Sequence, residues 1–274
     1  MSFDLDAYLA RIALGARPSP DAEGLERLQR AHRLAIPFEN LDVILGRGIR
    51  IDSASVFAKL VTARRGGYCF EHNRLFGDAL DALGFTARPL LGRVWLMPVD
   101  TADRVPGQTH TLSLVTIDGQ DWIADTGFGG SFTPPMPLSD GAIATAPDTA
   151  FFRLDRDEVH GWVLSRDAGG ETGGVFQRQY SFTLNPAWES DLLMGNHWCA
   201  TAPASRFTQS RIVSVVLPKG FASLTGNVYR RRAGDEETIA EITDPRVYRL
   251  RLSMMFGIDL SVEEISAFEA FPAH

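Results

Sequence analysis

The chain makes a tight turn and begins a helix within the segment Arg64-Arg65-Gly66-Gly67-Tyr68-Cys69-Phe70-Glu71-His72-Asn73. The two glycines permit the turn, and an apolar stripe at helical spacing predicts a helix from about Cys69 to Leu83. A thiol at a helix N-terminus faces unpaired backbone N–H groups and the positive end of the helix dipole, which both stabilise the nucleophilic thiolate. A lone cysteine is also typical of a buried core position, so this segment indicates a nucleophile without deciding it.

Upstream of this turn, residues 1–84 are predicted to be helical. Apolar residues recur at helical spacing over 5–12 and 25–35, and Pro37 ends the second of these helices near Ile36. A further helix is expected after Ser53, which is a favourable N-cap residue. These residues form the first predicted domain, a helical section that carries Cys69.

Downstream, the hydrophobic period changes to two and turn residues multiply. Residues 85–185 are therefore predicted to form the strands of an antiparallel sheet or barrel. The stretch from Thr133 to Thr149 is rich in Pro, Ala and Asp and is expected to be a long connecting loop. Residues 186–209 contain Pro, Gly and several aromatics, and they are predicted to be a linker with a short helix.

A final section is predicted over residues 210–274. It begins with an apolar strand at 212–217, and further strands are expected through Leu252. Ser261 and Glu264 have the spacing of a capping box, so a last helix is predicted to begin at Ser261. The order of these sections predicts an α+β fold.

Composition excludes several classes of function. The chain has 274 residues, 45% of them apolar, and its net charge of −7 gives no basic surface for nucleic acid. No segment has the apolar length of a membrane span or a signal peptide, so a cytoplasmic protein without membrane association is expected. Two cysteines, Cys69 and Cys199, are too few for a disulfide framework, and the sequence predicts no metal site.

A nucleophilic cysteine requires a base and a group that orients the base. His110 lies on an alternating segment that predicts a strand, and Asp125 ends the next short apolar strand, just before a glycine-rich loop. Two neighbouring strands could place these residues side by side. Each residue also has an ordinary structural interpretation. Competing candidates for the base are His32, His160, His197 and His72, the last of which is on the same helix as Cys69.

Four segments of the chain resemble the arylamine N-acetyltransferase family. They are the segment around Cys69, Thr109-His110, Asp125-Thr126-Gly127-Phe128-Gly129 and Ile36-Pro37-Phe38-Glu39-Asn40-Leu41. The motifs occur in the family's order and spacing, over nearly the whole chain. Thr126 is a departure, because family members often carry valine there.

The resemblance implies a helical bundle, a central antiparallel β-barrel and a C-terminal α/β lid, around a cysteine-protease-like core. It also implies acetyl-coenzyme A as co-substrate and an aromatic amine or hydrazine as acceptor. In the implied ping-pong mechanism Cys69 takes the acetyl group, His110 moves protons and Asp125 holds the histidine ring. The protein is expected to be a monomer or weak homodimer, without a metal or a tightly bound cofactor.

Binding residues follow from the same resemblance. The family's pyrophosphate-contacting loop corresponds here to Gly127, Phe128, Gly129 and Gly130, next to Thr109 in the cleft. The residues matching the family's acceptor pocket are Phe38, Val94, Phe128 and Phe207. Alone, the loop would be an ordinary turn and the apolar residues would be core.

Other functions stay open from the residues alone. The same three residue types serve proteases, transglutaminases and thioesterases on unrelated folds. Within the family, a member could instead form an amide bond in a biosynthetic pathway. A small-molecule-binding protein with a structural Cys69 is the non-catalytic alternative.

Overall fold

The structure is a computed structural model that describes residues 3–96, 105–167 and 174–268. In these ranges the helices are α1 Leu5–Arg11, α2 Ala22–Ala35, α3 Leu41–Ile44, α4 Ser53–Phe57, α5 Cys69–Ala82, α6 Glu189–Thr201, α7 Arg206–Gln209, α8 Pro245–Phe256 and α9 Val262–Ser266. A π-helical turn, Ala58–Thr62, continues α4. The predicted helices before residue 85 and after Ser261 are thus present.

The strands of the described residues are β1 Phe38–Glu39, β2 Thr86–Val94, β3 Gln108–Ile117, β4 Gln120–Ala124, β5 Met136–Pro137, β6 Ala142–Thr145, β7 Phe151–Asp157, β8 Gly161–Asp167, β9 Gln177–Phe182, β10 Ile212–Leu217, β11 Gly220–Thr225, β12 Val228–Ala233 and β13 Glu236–Glu241. Every strand pair is antiparallel, in two sheets of eight and five strands.

The larger sheet forms the predicted barrel. Its strand order is β5-β4-β3-β2-β9-β8-β7-β6, and the edge strands β5 and β6 lie close together, so the barrel is nearly closed. Apolar side chains from alternate strand positions fill its interior, including Leu112, Leu114, Phe152 and Leu164. The fold class is the predicted one, with helices before the barrel and an α/β section after it.

The smaller sheet joins the helical section to the last section of the chain. Its order is β1-β10-β11-β12-β13, so β1 from the helical section pairs with the first strand of the last section. Helices α8 and α9 cover this sheet and bury Tyr248, Leu252, Phe256 and Ile265 against it. The predicted domain limits at residues 84, 185 and 209 stay a prediction.

Two expectations from the sequence are wrong. The strands expected through Leu252 end at β13, and residues 245–256 form helix α8 instead. Asp244 caps this helix through the Arg246 N–H group (2.7 Å), and Gly257 ends it in the left-handed region. The expected loop between Thr133 and Thr149 contains the short strands β5 and β6, which close the barrel.

Candidate active site

Cys69 is the first residue of α5, at the junction of the helices with the barrel. The Glu71 carboxylate accepts the Tyr68 N–H group (3.0 Å) and so fixes the start of the helix. The Cys69 sulfur lies 3.8 Å from the Thr109 carbonyl oxygen, and the residue is 2% exposed. The thiol therefore lies against the backbone of β3, at the residue before His110.

Burial raises the pKa of the Cys69 thiol well above its usual value, and the neighbouring Cys199 and Asp125 act in the same direction. The Phe70 and Thr111 N–H groups act in the opposite direction, because they donate toward the sulfur. These two N–H groups thus stabilise the thiolate, but the effect of burial on the pKa is larger. In the resting protein the thiol form is favoured, so a base must accept its proton during a reaction.

His110 and Asp125 form a buried pair. The His110 Nε2 atom lies 2.7 Å from Asp125 Oδ2, and each residue is 2% exposed. Burial alone would raise the pKa of Asp125, but His110, the Gly127 N–H group and Asn73 outweigh it and hold the pKa below its usual value. An ionised carboxylate only accepts hydrogen bonds, so Nε2 carries a hydrogen and donates it to Asp125.

Asn73 connects the helix to this pair. Its amide nitrogen donates to the Thr111 carbonyl (2.6 Å) and to Asp125 Oδ1 (3.2 Å). Its amide oxygen accepts the Thr126 N–H and hydroxyl groups, each at 3.2 Å. The side chain thus ties α5 to both strands. Sequence reasoning missed this role, although Asn73 lies one helical turn after Cys69 on the same face.

Helix α2 braces the same region from behind, which the sequence did not predict. Gln29 accepts the Asp125 N–H group (3.0 Å) and donates to the Thr133 carbonyl (2.6 Å). The buried Arg33 guanidinium donates to the carbonyls of Thr126 (3.1 Å) and Gly130 (3.3 Å). The loop that follows Asp125 is therefore held at both ends.

The glycine loop lies directly against the nucleophile candidate. A Cβ atom on Gly127 would lie 2.6 Å from the Cys69 Cα, so only glycine fits there. Gly129 and Gly130 have positive φ angles of 76° and 64°, and Gly129 lies over the Phe38 ring. The Gly130 N–H group donates to the Ser214 hydroxyl (2.9 Å), which joins the loop to β10.

The predicted aromatic residues fall into two groups. Phe38 and Phe207 have ring centroids 6.1 Å apart and pack in the same cluster as Cys69. Phe128 contacts the His110 ring edge-to-face at 5.2 Å and packs with Val94 in the barrel core. Tyr180, which the sequence did not single out, completes this group at 5.0 Å from His110. Thr109 is half-buried.

Both ring nitrogens of His72 take part in a separate hydrogen-bond network. Its Nε2 atom contacts the Pro37 carbonyl (3.1 Å), and its Nδ1 atom contacts Nε2 of His32 (2.9 Å). Burial lowers the pKa of His72 to about 3. Because both ring nitrogens are occupied within the core, His72 has no free nitrogen for the Cys69 thiol.

Two further findings concern metals and membranes. Over residues 3–96, 105–167 and 174–268, no group of three or more histidine, cysteine, aspartate or glutamate side chains could hold a metal ion. None of the helices in these ranges combines the length and apolar character that a membrane crossing requires.

A helical section, an antiparallel barrel with a buried His–Asp pair and a thiol at a helix start define a cysteine-protease-like fold. A family model described as N-acetyltransferase matches residues 21–265. The arylamine N-acetyltransferase of Mycolicibacterium smegmatis is 38% identical over 95% of this chain and 94% of its own length. The chain therefore belongs to the arylamine N-acetyltransferase family and is an acyltransferase.

Solved structures agree with this assignment. The arylamine N-acetyltransferase from Salmonella typhimurium superposes with a TM-score of 0.89 at 36% identity, covering 97% of this chain and 98% of that one. The Mycobacterium marinum enzyme in complex with CoA gives a TM-score of 0.88 at 32% identity, covering 98% of this chain and all of that one.

Proposed function

We propose that this protein transfers an acetyl group from acetyl-coenzyme A to the nitrogen of an arylamine or arylhydrazine, through a thioester on Cys69. One observation carries the proposal. The Cys69 sulfur contacts the Thr109 carbonyl and the Thr111 N–H group, which are the backbone groups on either side of His110. The His110 ring is hydrogen-bonded to Asp125 at 2.7 Å. The family membership and the CoA complex of a related enzyme support the choice of donor.

In the first half-reaction, His110 Nδ1 takes the proton of the Cys69 thiol as the sulfur attacks the acetyl carbonyl carbon. The bond from that carbon to the coenzyme sulfur then breaks, and the departing thiolate takes the proton from the imidazolium. The N–H groups of Phe70 and Thr111, which already point toward the sulfur, are candidates to hold the developing oxyanion.

In the second half-reaction, the acceptor nitrogen attacks the Cys69 thioester. Its proton passes to His110 and then to the released sulfur, which restores the starting thiol. Asp125 remains ionised throughout, because its three hydrogen bonds favour the carboxylate. The charge on the imidazolium is therefore balanced within the buried pair.

Binding of the two substrates is proposed from the placement of the predicted residues. The acceptor ring would contact Phe38, Phe128 and Phe207, with Val94 behind them, since flat aromatic molecules suit an apolar pocket. The coenzyme would contact Thr109 and the loop from Gly127 to Gly130, two of whose glycines have positive φ angles.

Two wider features of the proposal concern location and assembly. A cytoplasmic location suits a protein whose two cysteines are both free thiols, because reducing conditions maintain that state. The predicted monomer or weak homodimer stays a prediction.

The test compares Cys69→Ala with Cys199→Ala, two buried cysteines that contact the same carbonyl oxygen. Each protein is incubated with acetyl-coenzyme A, and intact mass is measured before aniline or phenylhydrazine is added and coenzyme A release is followed. We expect one acetyl group and acceptor-dependent release in the parent and in Cys199→Ala, and neither in Cys69→Ala.

Two results would contradict the proposal. Parental coenzyme A release by Cys69→Ala would remove Cys69 as nucleophile. Equal release with and without the amine would identify a thioesterase, which passes the acyl group to water.

A further inference from the structure

Two cysteine sulfurs in this molecule contact one carbonyl oxygen. The Cys199 sulfur lies 3.4 Å from the Thr109 carbonyl oxygen, and the Cys69 sulfur lies 3.8 Å from the same atom. Both are free thiols, and Cys199 is completely buried. The two sulfurs are therefore near neighbours, although the residues are far apart in sequence and lie on different helices, α5 and α6.

The packing of α6 fixes Cys199 at this position. Gly195 presses against the Phe70 ring, where a Cβ atom would lie only 2.8 Å from the nearest ring carbon. The Tyr68 hydroxyl donates to the Asn196 carbonyl at 3.2 Å and also contacts the Asn196 side chain. The Cys199 carbonyl in turn accepts the Ser205 hydroxyl (2.6 Å). These contacts hold α6 against the start of α5.

We propose that Cys199 is a resolving thiol, which closes a disulfide with Cys69 after a hydroperoxide has oxidised Cys69. The proposal rests on the proposed function in one respect, the reactivity of the Cys69 sulfur. In the first step His110 takes the proton of the Cys69 thiol, the sulfur attacks one peroxide oxygen and the O–O bond breaks. The sulfur becomes a sulfenic acid, and the departing oxygen takes the proton from the imidazolium and leaves as water or an alcohol. In the second step the Cys199 sulfur attacks the sulfenic sulfur, the S–S bond forms and water leaves.

The geometry suits this second step. A disulfide needs a sulfur separation of about 2.05 Å, and the shared carbonyl already keeps the two sulfurs in one small space. Closing the bond requires a change of side-chain rotamer at one or both cysteines, and the search for a cross-linked peptide pair below tests whether the two side chains reach each other.

The chemical consequence is protection of Cys69. While peroxide remains, a sulfenic acid without a neighbouring thiol is oxidised further to sulfinic and sulfonic acids, which ordinary thiols do not reduce. A disulfide between Cys69 and Cys199 instead blocks the nucleophile reversibly. The site therefore takes small hydroperoxides as its oxidant and exogenous thiols as its reductant.

The experiment treats the parent, Cys199→Ser and Cys199→Ala with hydrogen peroxide and then divides each sample. One half is analysed by intact mass and by peptide mapping without reduction, and the other is incubated with dithiothreitol and assayed for acetyl transfer. For the parent we expect the loss of two hydrogen masses, a cross-linked peptide pair containing Cys69 and Cys199, and recovery of most of the activity.

For both Cys199 variants we expect unchanged activity before peroxide. After peroxide we expect added oxygen masses on Cys69 and activity that dithiothreitol does not restore. Two variants are used because serine keeps a donor for the Thr109 carbonyl and alanine does not. The proposal is overturned if the parent gains the same oxygen masses as the variants and no cross-linked pair forms.

The mass measurement separates this inference from the proposed function. A cross-link that forms in a protein without acetyl transfer would reject the proposed function and leave the disulfide standing. Acetyl transfer by a parent whose peroxide-treated form shows no cross-link would reject the resolving thiol alone.

Discussion

Gly127 sets the distance between the glycine loop and the proposed nucleophile. An added Cβ atom would lie 2.6 Å from the Cys69 Cα and 2.5 Å from the Asn73 amide nitrogen, and both atoms belong to the same helix. We expect Gly127→Ala to lose about 1–3 kcal/mol of unfolding free energy, because neither neighbour can move freely. Its acetyl transfer should fall at least tenfold in the same preparation.

Gly77 provides the matched control, since it lies in α5 and an added Cβ atom would meet nothing within 4 Å. Gly77→Ala should gain about 0.5–1 kcal/mol, because alanine is the better helix residue. Both values come from denaturant unfolding followed by circular dichroism. A Gly127→Ala protein as stable and active as the parent would show that the loop has room to move.

Asp125 affects the chemistry through its hydrogen bond to the His110 ring. In Asp125→Asn the amide presents an NH₂ group that disfavours the present His110 tautomer, and the imidazolium loses its charge partner. We expect turnover at saturating substrates to fall by up to about 10⁴-fold, with an unchanged circular dichroism spectrum. Asp121→Asn, on β4 a few residues upstream, should retain parental turnover. Near-parental turnover in Asp125→Asn would remove Asp125 from the mechanism.

The sequence could predict which residue types meet at this site, but only part of their support. His110 lies on β3 and Asp125 directly follows β4, and a short turn joins these two strands, so their proximity followed from local pattern. Gln29 and Arg33 meet the Asp125 loop from positions more than 90 residues away. Such partners depend on how α2 packs against the barrel. The hydrophobic periodicity of a local segment does not specify that packing.

A buried hydrogen-bond chain joins α1, α2 and α5. It runs from the Tyr8 hydroxyl to His32 (2.9 Å), from His32 to His72 (2.9 Å) and from His72 to the Pro37 carbonyl (3.1 Å). Since the carbonyl only accepts, His72 carries its hydrogen on Nε2 and His32 does the same, so each donor has one acceptor. The chain is complete only when both histidines are neutral.

This chain predicts a loss of stability in mild acid. Burial lowers the pKa of His32 well below its usual value and that of His72 to about 3, whereas both take up protons near pH 6.5 once unfolded. The stabilisation is therefore complete above about pH 6.5 and falls as pH decreases toward 3. By linkage, His72 alone costs about 2 kcal/mol at about pH 5, and His32 acts in the same direction.

Denaturant unfolding at about pH 7.5 and pH 5 tests this expectation. The double variant His32→Gln/His72→Gln should show a smaller difference between the two pH values than the parent, even if it is less stable at both. His197→Gln, at an exposed position on α6, should keep the parental difference. Equal pH dependence in the parent and the double variant would mean that carboxylates elsewhere cause the acid sensitivity.

Helix α8 shows how an element can be misread from its sequence. Strands were expected through Leu252, yet the buried residues of α8 are Tyr248, Leu252 and Phe256, which recur every four positions. Asp244-Pro245 at the start and Gly257 at the end are helix boundary signals. These boundary signals, together with the four-residue period, define the helix.

At the scale of the whole molecule, Asn40 joins the helical section of the chain to the segment that leads into β10. Its side chain donates to the carbonyls of Phe207 (2.7 Å) and Ser210 (2.8 Å) and accepts the Ile212 N–H group (2.7 Å). It follows β1, which pairs with β10 in the smaller sheet. The pairing of segments more than 170 residues apart is another feature that sequence pattern alone did not predict.

Replacing Asn40 by alanine should therefore weaken the contact between the section that begins at β10 and the helical section. The change removes the partner of two carbonyls and one N–H group around a residue that is only 1% exposed. Each of these groups that water does not reach lowers the unfolding free energy by about 1–3 kcal/mol. We expect a lower unfolding midpoint and earlier proteolytic cleavage between α6 and β10. Acetyl transfer should also fall, because Phe207 and the Gly130–Ser214 contact lie at the same junction.

Asn185→Ala, at an exposed position before α6, tests whether loss of an asparagine side chain alone has these effects. It should unfold and resist protease as the parent does. Asn40→Asp gives a finer distinction, because a carboxylate can still accept the Ile212 N–H group but repels the two carbonyl oxygens. It should thus be no more stable than Asn40→Ala. If both Asn40 variants kept the parental midpoint and cleavage pattern, strand pairing between β1 and β10 would be sufficient to hold the helical section and the last section together.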